Sequence, residues 1–464
     1  MTDPLAIGVA GLALLFVLLA LRMPVGLAML LVGIGGNWAL SLAVPWLRFE
    51  PYLKSFKTLL WSNVASYELS VIPLFVLMGF LASEAGLSRD LFHGLSALAG
   101  RVRGGVAMAA VGACAGFGAV CGSSLATAST MGRVALPELL RLGYAPRLAA
   151  GTLAAGGTLG ILIPPSVALV IYAVIVEASI IEMFQAALLP GLLALLGFLA
   201  VIAIRLRLSP GLAPAPAPMP AAERGRAVAR LAPVALIFGA IILGLGMGLF
   251  TPTPAAAFGV FLIAAYGAVL RLRGGPGTGL GGRGLLRALR DTAVTAGMIT
   301  FILFGAEVLK GFFTRSGLPA ALADWAAASG FDPLLVLALM LAALILLGCF
   351  MESLAMILVV VPFFWPALLA LNGGDAVTAE TAAYGVSPEE LKIWFGILAL
   401  IVVELGLITP PVGLNVFIIG RIAPEVGMGD TFRGVLPFFA MEIVRVGLIL
   451  AVPALALTLP RLLG

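Results

Sequence analysis

Long apolar runs recur along this chain from Leu5 to Leu459, and many are about as long as a membrane-spanning helix, roughly 20 residues. Hydrophobic residues make up 62% of the 464 residues, whereas Asp, Glu, Lys and Arg together make up 11%. A soluble domain carries about 25% charged residues. Folding this chain in water would therefore leave most of its apolar residues exposed, which excludes a soluble protein, and the recurrence excludes a single-span receptor. The sequence predicts an all-α polytopic membrane protein.

Ten spans and two interrupted apolar stretches account for these runs. The predicted spans lie near residues 5–21, 25–45, 70–84, 148–178, 184–204, 231–250, 255–270, 291–313, 392–424 and 432–459. The stretches 104–140 and 333–371 are each interrupted at the middle by small or polar residues. The first run is followed by Arg22 and Pro24 instead of a small-residue cleavage site, so we expect it to be retained as a span.

The residues that usually mark metal, redox or nucleotide chemistry are scarce. The chain has three cysteines, all in apolar stretches, and one histidine, His93, which argues against a zinc or haem site. No Walker A pattern is present to support ATP hydrolysis. The formal charge of +5 is explained by the arginines that orient membrane spans, so we expect no nucleic-acid partner. We also expect no organic cofactor. An enzyme is disfavoured, because the serines in the interrupted stretches have no candidate base nearby.

The chain divides into two halves that repeat one another. The Pro-rich segment 207–230 predicts a semi-rigid linker between them. In the first half the sequence CGSS interrupts an apolar stretch and is followed by GILIPPSVAL; in the second half CFMES is followed by GLITPPVGLN. We therefore predict scaffold helices at 1–70 and 231–290, and an arm, a hairpin and a broken helix at 71–206 and again at 291–464.

Arginine placement predicts how the spans are oriented. If 104–140 is a re-entrant hairpin that returns to the side it entered, most of the 27 Lys and Arg residues, including the linker arginines, face the cytoplasm. The second hairpin then opens outward, beside the polar insert 372–388. Two hairpins that open in opposite directions are the inverted-repeat pattern of secondary transporters. Both chain termini are predicted to be periplasmic.

The interruptions concentrate oxygen atoms inside the predicted membrane segments. A broken helix leaves backbone groups without partners, at several kcal/mol each, unless protein, water or an ion satisfies them. Proline pairs such as Pro164 and Pro165 free carbonyl groups, and serine and threonine add hydroxyls. Carbonyls and hydroxyls are suitable ligands for a small cation such as Na⁺. The alternative is that these residues only kink packed helices.

Two carboxylates lie close to the interruptions. Glu352 is at the second hairpin tip, and Glu404 precedes Thr409 by five residues. Each could support a site or carry a proton, or have a structural hydrogen-bonding role, and the sequence leaves these choices open.

The order of several motifs resembles a known family. These motifs are IPLFVLMG (72–79), GSSLATASTMGRVALPE (122–138), GGTLGILIPPS (156–166), WFG (394–396) and GLITPPVGLN (406–415). Together they resemble the large membrane subunit of tripartite ATP-independent periplasmic (TRAP) transporters, the DctM-like family. The resemblance implies an elevator-type carrier in the bacterial inner membrane, driven by Na⁺. It also implies a periplasmic binding protein that delivers an organic acid, and a small four-helix membrane subunit as a partner.

The resemblance further implies which residues form the sites. Sodium ligands are expected at the hairpin tips and broken helices, on Gly122, Ser123, Ser124, Gly160, Pro164, Gly348, Glu352, Thr409, Pro411 and Gly413. Substrate contacts are expected from Ser124, Thr127, Ser166 and Asn415.

The sequence also departs from the family pattern. Pro254 stands where the family usually has Glu, Glu352 stands where Asp is frequent, and the insert 372–388 is longer than usual. A stand-alone sodium/carboxylate symporter of related architecture, which would need no binding protein, is the alternative function.

Overall fold

The computed structural model describes residues 3–44, 46–215, 220–274 and 279–463. Part of the predicted linker, residues 216–219, lies outside the described residues, as do Met1, Thr2 and Gly464 at the two termini. The described residues form the following α-helices: α1 Pro4–Ala20, α2 Val25–Ala43, α3 Phe49–Val64, α4 Val71–Ala85, α5 Leu87–Ala99, α6 Gly105–Cys121, α7 Ser124–Arg141, α8 Pro146–Leu162, α9 Val167–Val176, α10 Ile180–Leu208, α11 Ala221–Ala229, α12 Leu231–Gly246, α13 Pro252–Gly274, α14 Gly282–Ser316, α15 Leu318–Ala328, α16 Pro333–Gly348, α17 Ser353–Asn372, α18 Pro388–Gly406, α19 Leu414–Ile422, α20 Met428–Ala451 and α21 Ala454–Leu463.

Many of these helices are long and apolar enough to cross a bilayer. Eight helical segments in the described part of the chain meet that test, and the bent pair α8–α9 makes a ninth. Large hydrophobic side chains such as Leu236, Phe261 and Leu272 are exposed on the outside of the fold, where lipid would cover them. The chain is a multi-pass α-helical membrane protein, as the sequence predicts.

The order of the helices repeats. In the first half, α4 and α5 join at Gly86, two short helices α6 and α7 meet at a tip, α8 and α9 form a broken helix, and the long α10 follows. In the second half, α14 and α15 join at Gly317, α16 and α17 meet at a tip, a break separates α18 from α19, and α20 follows. Both joining glycines are left-handed, with φ of +88° at Gly86 and +74° at Gly317.

The two halves contact each other through their arm helices, which are α4 in the first half and α14 in the second. Helix α14 of the second half packs on α2 of the first, and α4 of the first half packs on α13 of the second. Glycine allows α2 and α14 to approach closely. A Cβ on Gly33 would lie only 2.8 Å from the Val308 side chain, which is too close for a real side chain. Helix α14 is continuous across residue 290, so the predicted boundary between 231–290 and 291–464 falls inside one helix.

Three features differ from the predicted spans. Helix α3 was not predicted, because its Glu50, Lys54 and Lys57 interrupt the apolar pattern; the Tyr52 hydroxyl joins it to α14 by donating to the Val308 carbonyl at 3.0 Å. Helix α15 was also not predicted as a separate element, because the helix is apolar but too short to be a span. The predicted span 432–459 is divided in two, because α20 ends at Ala451 and α21 begins at Ala454 after Pro453.

The long insert 372–388 is an ordered loop. The Asn372 side chain is fully buried; its Nδ2 donates to the Val386 carbonyl at 3.1 Å, and its Oδ1 accepts from the Tyr384 N–H at 3.1 Å. The Tyr384 hydroxyl donates to the Pro333 carbonyl at 3.1 Å, which attaches the loop to the start of α16. The insert is therefore fixed against the second hairpin.

Candidate functional site

The first hairpin tip lies against the first helix break. Gly122 is the C-cap residue that follows α6, with φ of +60°, and a Cβ there would lie 2.9 Å from the backbone nitrogen of Val167. The hydroxyl of Ser123 accepts a hydrogen bond from the Ala126 N–H and caps α7. On the other side of the contact, the Ser166 hydroxyl accepts from the Leu169 N–H and caps α9. The N-termini of α7 and α9 therefore lie together where the first hairpin tip contacts the first helix break.

The two hairpins are supported by matching glycine crossings. A Cβ on Gly118 of α6 would lie 2.3 Å from the Gly160 Cα of α8. In the second half, a Cβ on Gly406 of α18 would lie 2.5 Å from the Gly348 Cα of α16. Real Cβ atoms do not approach backbone this closely, so each crossing requires glycine. The sequence repeat is thus matched by a repeated packing geometry.

The second break, residues 407–413, has a different environment from the first. Pro164 and Pro165 of the first break are buried, whereas Pro410 and Pro411 of the second are exposed. The Thr409 hydroxyl donates to the Leu405 carbonyl at 2.6 Å, which leaves its lone pairs available to another group. Gly413 is buried, has φ of +58° and is the N-cap residue that precedes α19.

One buried carboxylate joins the two hairpins. Glu404 of α18 is 1% exposed and accepts hydrogen bonds from the Ser124 hydroxyl at the start of α7 and from the Ser353 hydroxyl at the start of α17. The distance from Ser353 Oγ to Glu404 Oε1 is 2.8 Å. The two hydroxyls come from opposite halves of the sequence, so Glu404 fixes the position of one tip relative to the other.

A small cavity opens between the tips and the arms. Its volume is about 190 Å³, and it is lined by Gly122 and Ser123 of the first tip, Glu352 of the second, and Thr295 and Met298 of α14. The Glu352 carbonyl accepts from the Met356 N–H at 3.0 Å, but its carboxylate makes no hydrogen bond or ion pair with any residue that the structure describes. The cavity therefore brings predicted site residues of both halves together.

The predicted substrate residues lie deeper than this cavity. Thr127 Oγ1 is buried beside Gly160 and has no hydrogen-bond partner in the described part of the chain. Asn415 is fully buried and donates through Nδ2 to the Ala154 carbonyl at 3.3 Å. Its Oδ1 has no partner among the described atoms. Neither these two residues nor Ser124 and Ser166 line the cavity.

Sequence reasoning left a hydrogen-bonding role open for Glu404 but did not predict that it bridges the two tips, and it missed the contribution of α14. An unpaired carboxylate inside an apolar span is a recognisable signal, but the sequence did not indicate which hydroxyls would reach it. Thr295 and Met298 belong to none of the motifs identified in the sequence. They line the cavity only because α14 packs between α2, α4 and α17.

Paired hairpins and broken helices that meet inside a multi-pass helical fold are the architecture of a membrane transporter. The structure is similar to the crystal structure of the YdaH transporter of Alcanivorax borkumensis, with a TM-score of 0.60 and 17% identity over 87% of this chain and 88% of that one. That likeness concerns the fold alone.

Sequence comparison is more specific. Residues 12–455 match the family model described as the tripartite ATP-independent periplasmic transporter, DctM component. The chain is 34% identical over 432 residues to the C4-dicarboxylate TRAP transporter large permease protein DctM of Pseudomonas aeruginosa, covering 92% of this chain and 94% of the relative. It is 30% identical over 403 residues to the sialic acid TRAP transporter large permease protein SiaM of Vibrio cholerae, covering 86% and 88%. The chain belongs to the DctM family of TRAP transporter large permeases.

Proposed function

We propose that this chain imports an organic acid, driven by Na⁺, as the large permease subunit of a three-component system. The other two components would be a periplasmic binding protein, which delivers the substrate, and a small four-helix membrane subunit. The family description specifies a tripartite periplasmic transporter. The two relatives described above are named for C4-dicarboxylates and sialic acid, and both are carboxylates. A carboxylate is therefore the proposed substrate class, and the bacterial inner membrane the proposed location.

The observation that carries the sodium proposal is the duplicated junction of tip and break, joined through Glu404. Each junction concentrates backbone carbonyls, hydroxyls and helix ends, and a dehydrated Na⁺ needs several such oxygens in fixed positions. The first junction is buried, and the second is partly exposed. The first proposed site uses Gly122, Ser123, Ser124, Gly160 and Pro164. The second uses Gly348, Glu352, Thr409, Pro411 and Gly413.

The proposed substrate site is the space between the tips, with Ser124, Thr127, Ser166 and Asn415 as the proposed contacts. The present cavity of about 190 Å³ is smaller than a usual ligand pocket of roughly 300–1,000 Å³. Admitting a carboxylate such as sialic acid therefore requires the tips and arms to separate. Unpartnered polar atoms on Thr127 and Asn415 would become available to a substrate when that happens.

An elevator motion would provide this separation. In our proposal the hairpins and broken helices of 71–206 and 291–464 form the moving block, and the helices within 1–70 and 231–290 remain as a scaffold. The segment 207–230 would link the halves on the cytoplasmic side. The two hairpins would open to opposite sides of the membrane, with both chain termini in the periplasm.

Uptake by purified components in liposomes tests this function. We expect radiolabelled organic acid to accumulate only when the chain, the small subunit and the loaded binding protein are all present, with an inward Na⁺ gradient. Omission of each component in turn provides the controls. Full uptake by the chain alone would contradict the proposal and favour the stand-alone symporter.

A further inference from the structure

A large basic cleft lies apart from the hairpin tips. It has a volume of about 700 Å³ and is formed by α5, the end of α7, the start of α6 and the linker helix α11. None of the residues that line the cavity between the tips lines this cleft. By the positive-inside argument it faces the cytoplasm, and the proposed transport mechanism does not use it.

The cleft has more positive than negative side chains. It is lined by five arginines and two glutamates: Arg101, Arg141, Arg224, Arg226, Arg230, Glu138 and Glu223.

Only some of these charges are neutralised within the described structure. Arg141 pairs with Glu138 at 2.6 Å, and Arg230 lies 3.6 Å from Asp90. Arg101 and Arg224 make no ion pair with any described residue, and the one side-chain hydrogen bond of Arg226 among them is to the Ala222 carbonyl in its own helix. At least three guanidinium groups are therefore available to an anion.

The interior of the cleft offers a hydrogen-bonding group and apolar walls in addition to its positive charge. The Ser96 hydroxyl is buried among the lining residues and has no hydrogen-bond partner in the ranges described. The walls beside it are apolar, with Phe92, Ala97 and Leu142. Guanidinium groups form paired hydrogen bonds with phosphate oxygens, and the apolar wall would accommodate a carbon chain next to them.

We propose that this cleft binds a phosphate-bearing anion, held by Arg101, Arg224 and Arg226 and by the Ser96 hydroxyl. The phosphate group is common to an anionic phospholipid headgroup and to free phosphate, and either source satisfies the same arginines. Because Arg224 and Arg226 are on the linker helix α11 and Arg101 lies just before α6 of the first hairpin, the bound anion joins the linker to the base of that hairpin.

Binding to the purified full chain tests this site. Native mass spectrometry in neutral detergent measures binding of phosphatidylglycerol, with phosphatidylcholine as the zwitterionic comparison. Titration calorimetry measures binding of inorganic phosphate. The test variant combines Arg101→Gln, Arg224→Gln and Arg226→Gln. The matched control combines Arg273→Gln, Arg283→Gln and Arg290→Gln, which removes the same charge from exposed positions outside the cleft.

We expect the cleft variant to bind about 10-fold more weakly or worse than the wild type, since each lost guanidinium removes charge-assisted hydrogen bonds. The control variant should bind as the wild type does. Loss of phosphatidylglycerol binding alone identifies a lipid headgroup, and loss of inorganic phosphate binding alone identifies a soluble phosphate. Loss of both shows that the site accepts the phosphate group from either source. Ser96→Ala keeps every charge and should weaken binding about threefold, which separates the site from a general loss of positive potential. Equal binding of both probes to the cleft and control variants would overturn the proposal.

Discussion

The two helix breaks contain the same Pro-Pro pair, yet they have opposite environments. Residues 163–166 are enclosed by the first hairpin tip and by α10, and both prolines are buried. Residues 407–413 have both prolines at the surface, although Gly413 and Asn415 behind them are buried. Local sequence therefore determines that the helix breaks, and the surrounding helices determine what covers the break.

In the sodium-coupled mechanism that we propose, this asymmetry distinguishes the two ion sites. If both breaks hold ions, the exposed one is the site that exchanges with water in this conformation, whereas the enclosed one retains its contents. Glu404 contacts both hairpins from its position at the end of α18, two residues before Gly406. Its two hydrogen bonds therefore link the first hairpin tip to the second.

The largest effect is expected from removing that connection. Glu404→Ala leaves the Ser124 and Ser353 hydroxyls buried without an acceptor, at about 1–3 kcal/mol each. We expect reconstituted uptake to fall about 30-fold or more, with Glu404→Gln intermediate because one carbonyl oxygen remains. Glu425→Ala, an exposed carboxylate in the loop after α19, is the control and should transport normally. Normal uptake by Glu404→Ala would show that the two tips act independently.

A second prediction concerns the glycine crossings, where the halves should behave alike. Gly118→Ala and Gly406→Ala each place a Cβ within 2.5 Å of backbone atoms, and such overpacking costs about 1–3 kcal/mol. Thermal unfolding of the purified protein should detect a lower Tm for both. Gly297→Ala is the matched control, because a Cβ there has no neighbour within 4 Å among the described atoms. If only one crossing is sensitive, the packing repeat is not equivalent in the two halves.

A third prediction tests the difference in exposure itself. In a chain whose three cysteines, Cys114, Cys121 and Cys349, are replaced by alanine, Pro411→Cys should react with a water-soluble maleimide at least about 10-fold faster than Pro165→Cys. The physical reason is the exposure of Pro411 and the burial of Pro165. The labelling rate is measured by mass spectrometry on the purified protein. Similar rates at the two positions would mean that the breaks have the same environment in solution.

Much of this fold follows from the sequence, because apolar runs of span length and repeated interruptions are local signals. The hairpin helices α6 and α7 and the break between α8 and α9 occur where 104–140 and 148–178 were predicted to be interrupted. Helices α3 and α15 were missed because neither is a continuous apolar span. Their positions depend on packing against α14 and α17, which periodicity does not reveal.

The candidate site was predictable only in part. The glycines, serines and prolines at the tips and breaks were identifiable by residue type and order. The partners of Glu404 were not, because Ser124 and Glu404 are 280 positions apart in the sequence. Pairing across such a separation is a property of the tertiary fold, as is the presence of Thr295 in the cavity.

Sodium dependence of reconstituted uptake is the most direct test of the central claim, that the tip–break junctions couple ion and substrate. Uptake should require an inward Na⁺ gradient, and a K⁺ gradient should not replace it. Ser123→Ala and Thr409→Ala, which each remove one hydroxyl from a junction, should raise the Na⁺ concentration for half-maximal uptake by roughly 5- to 150-fold, corresponding to about 1–3 kcal/mol. Uptake that proceeds equally in Na⁺ and K⁺ buffers, with a proton gradient fully replacing sodium, would contradict the claim.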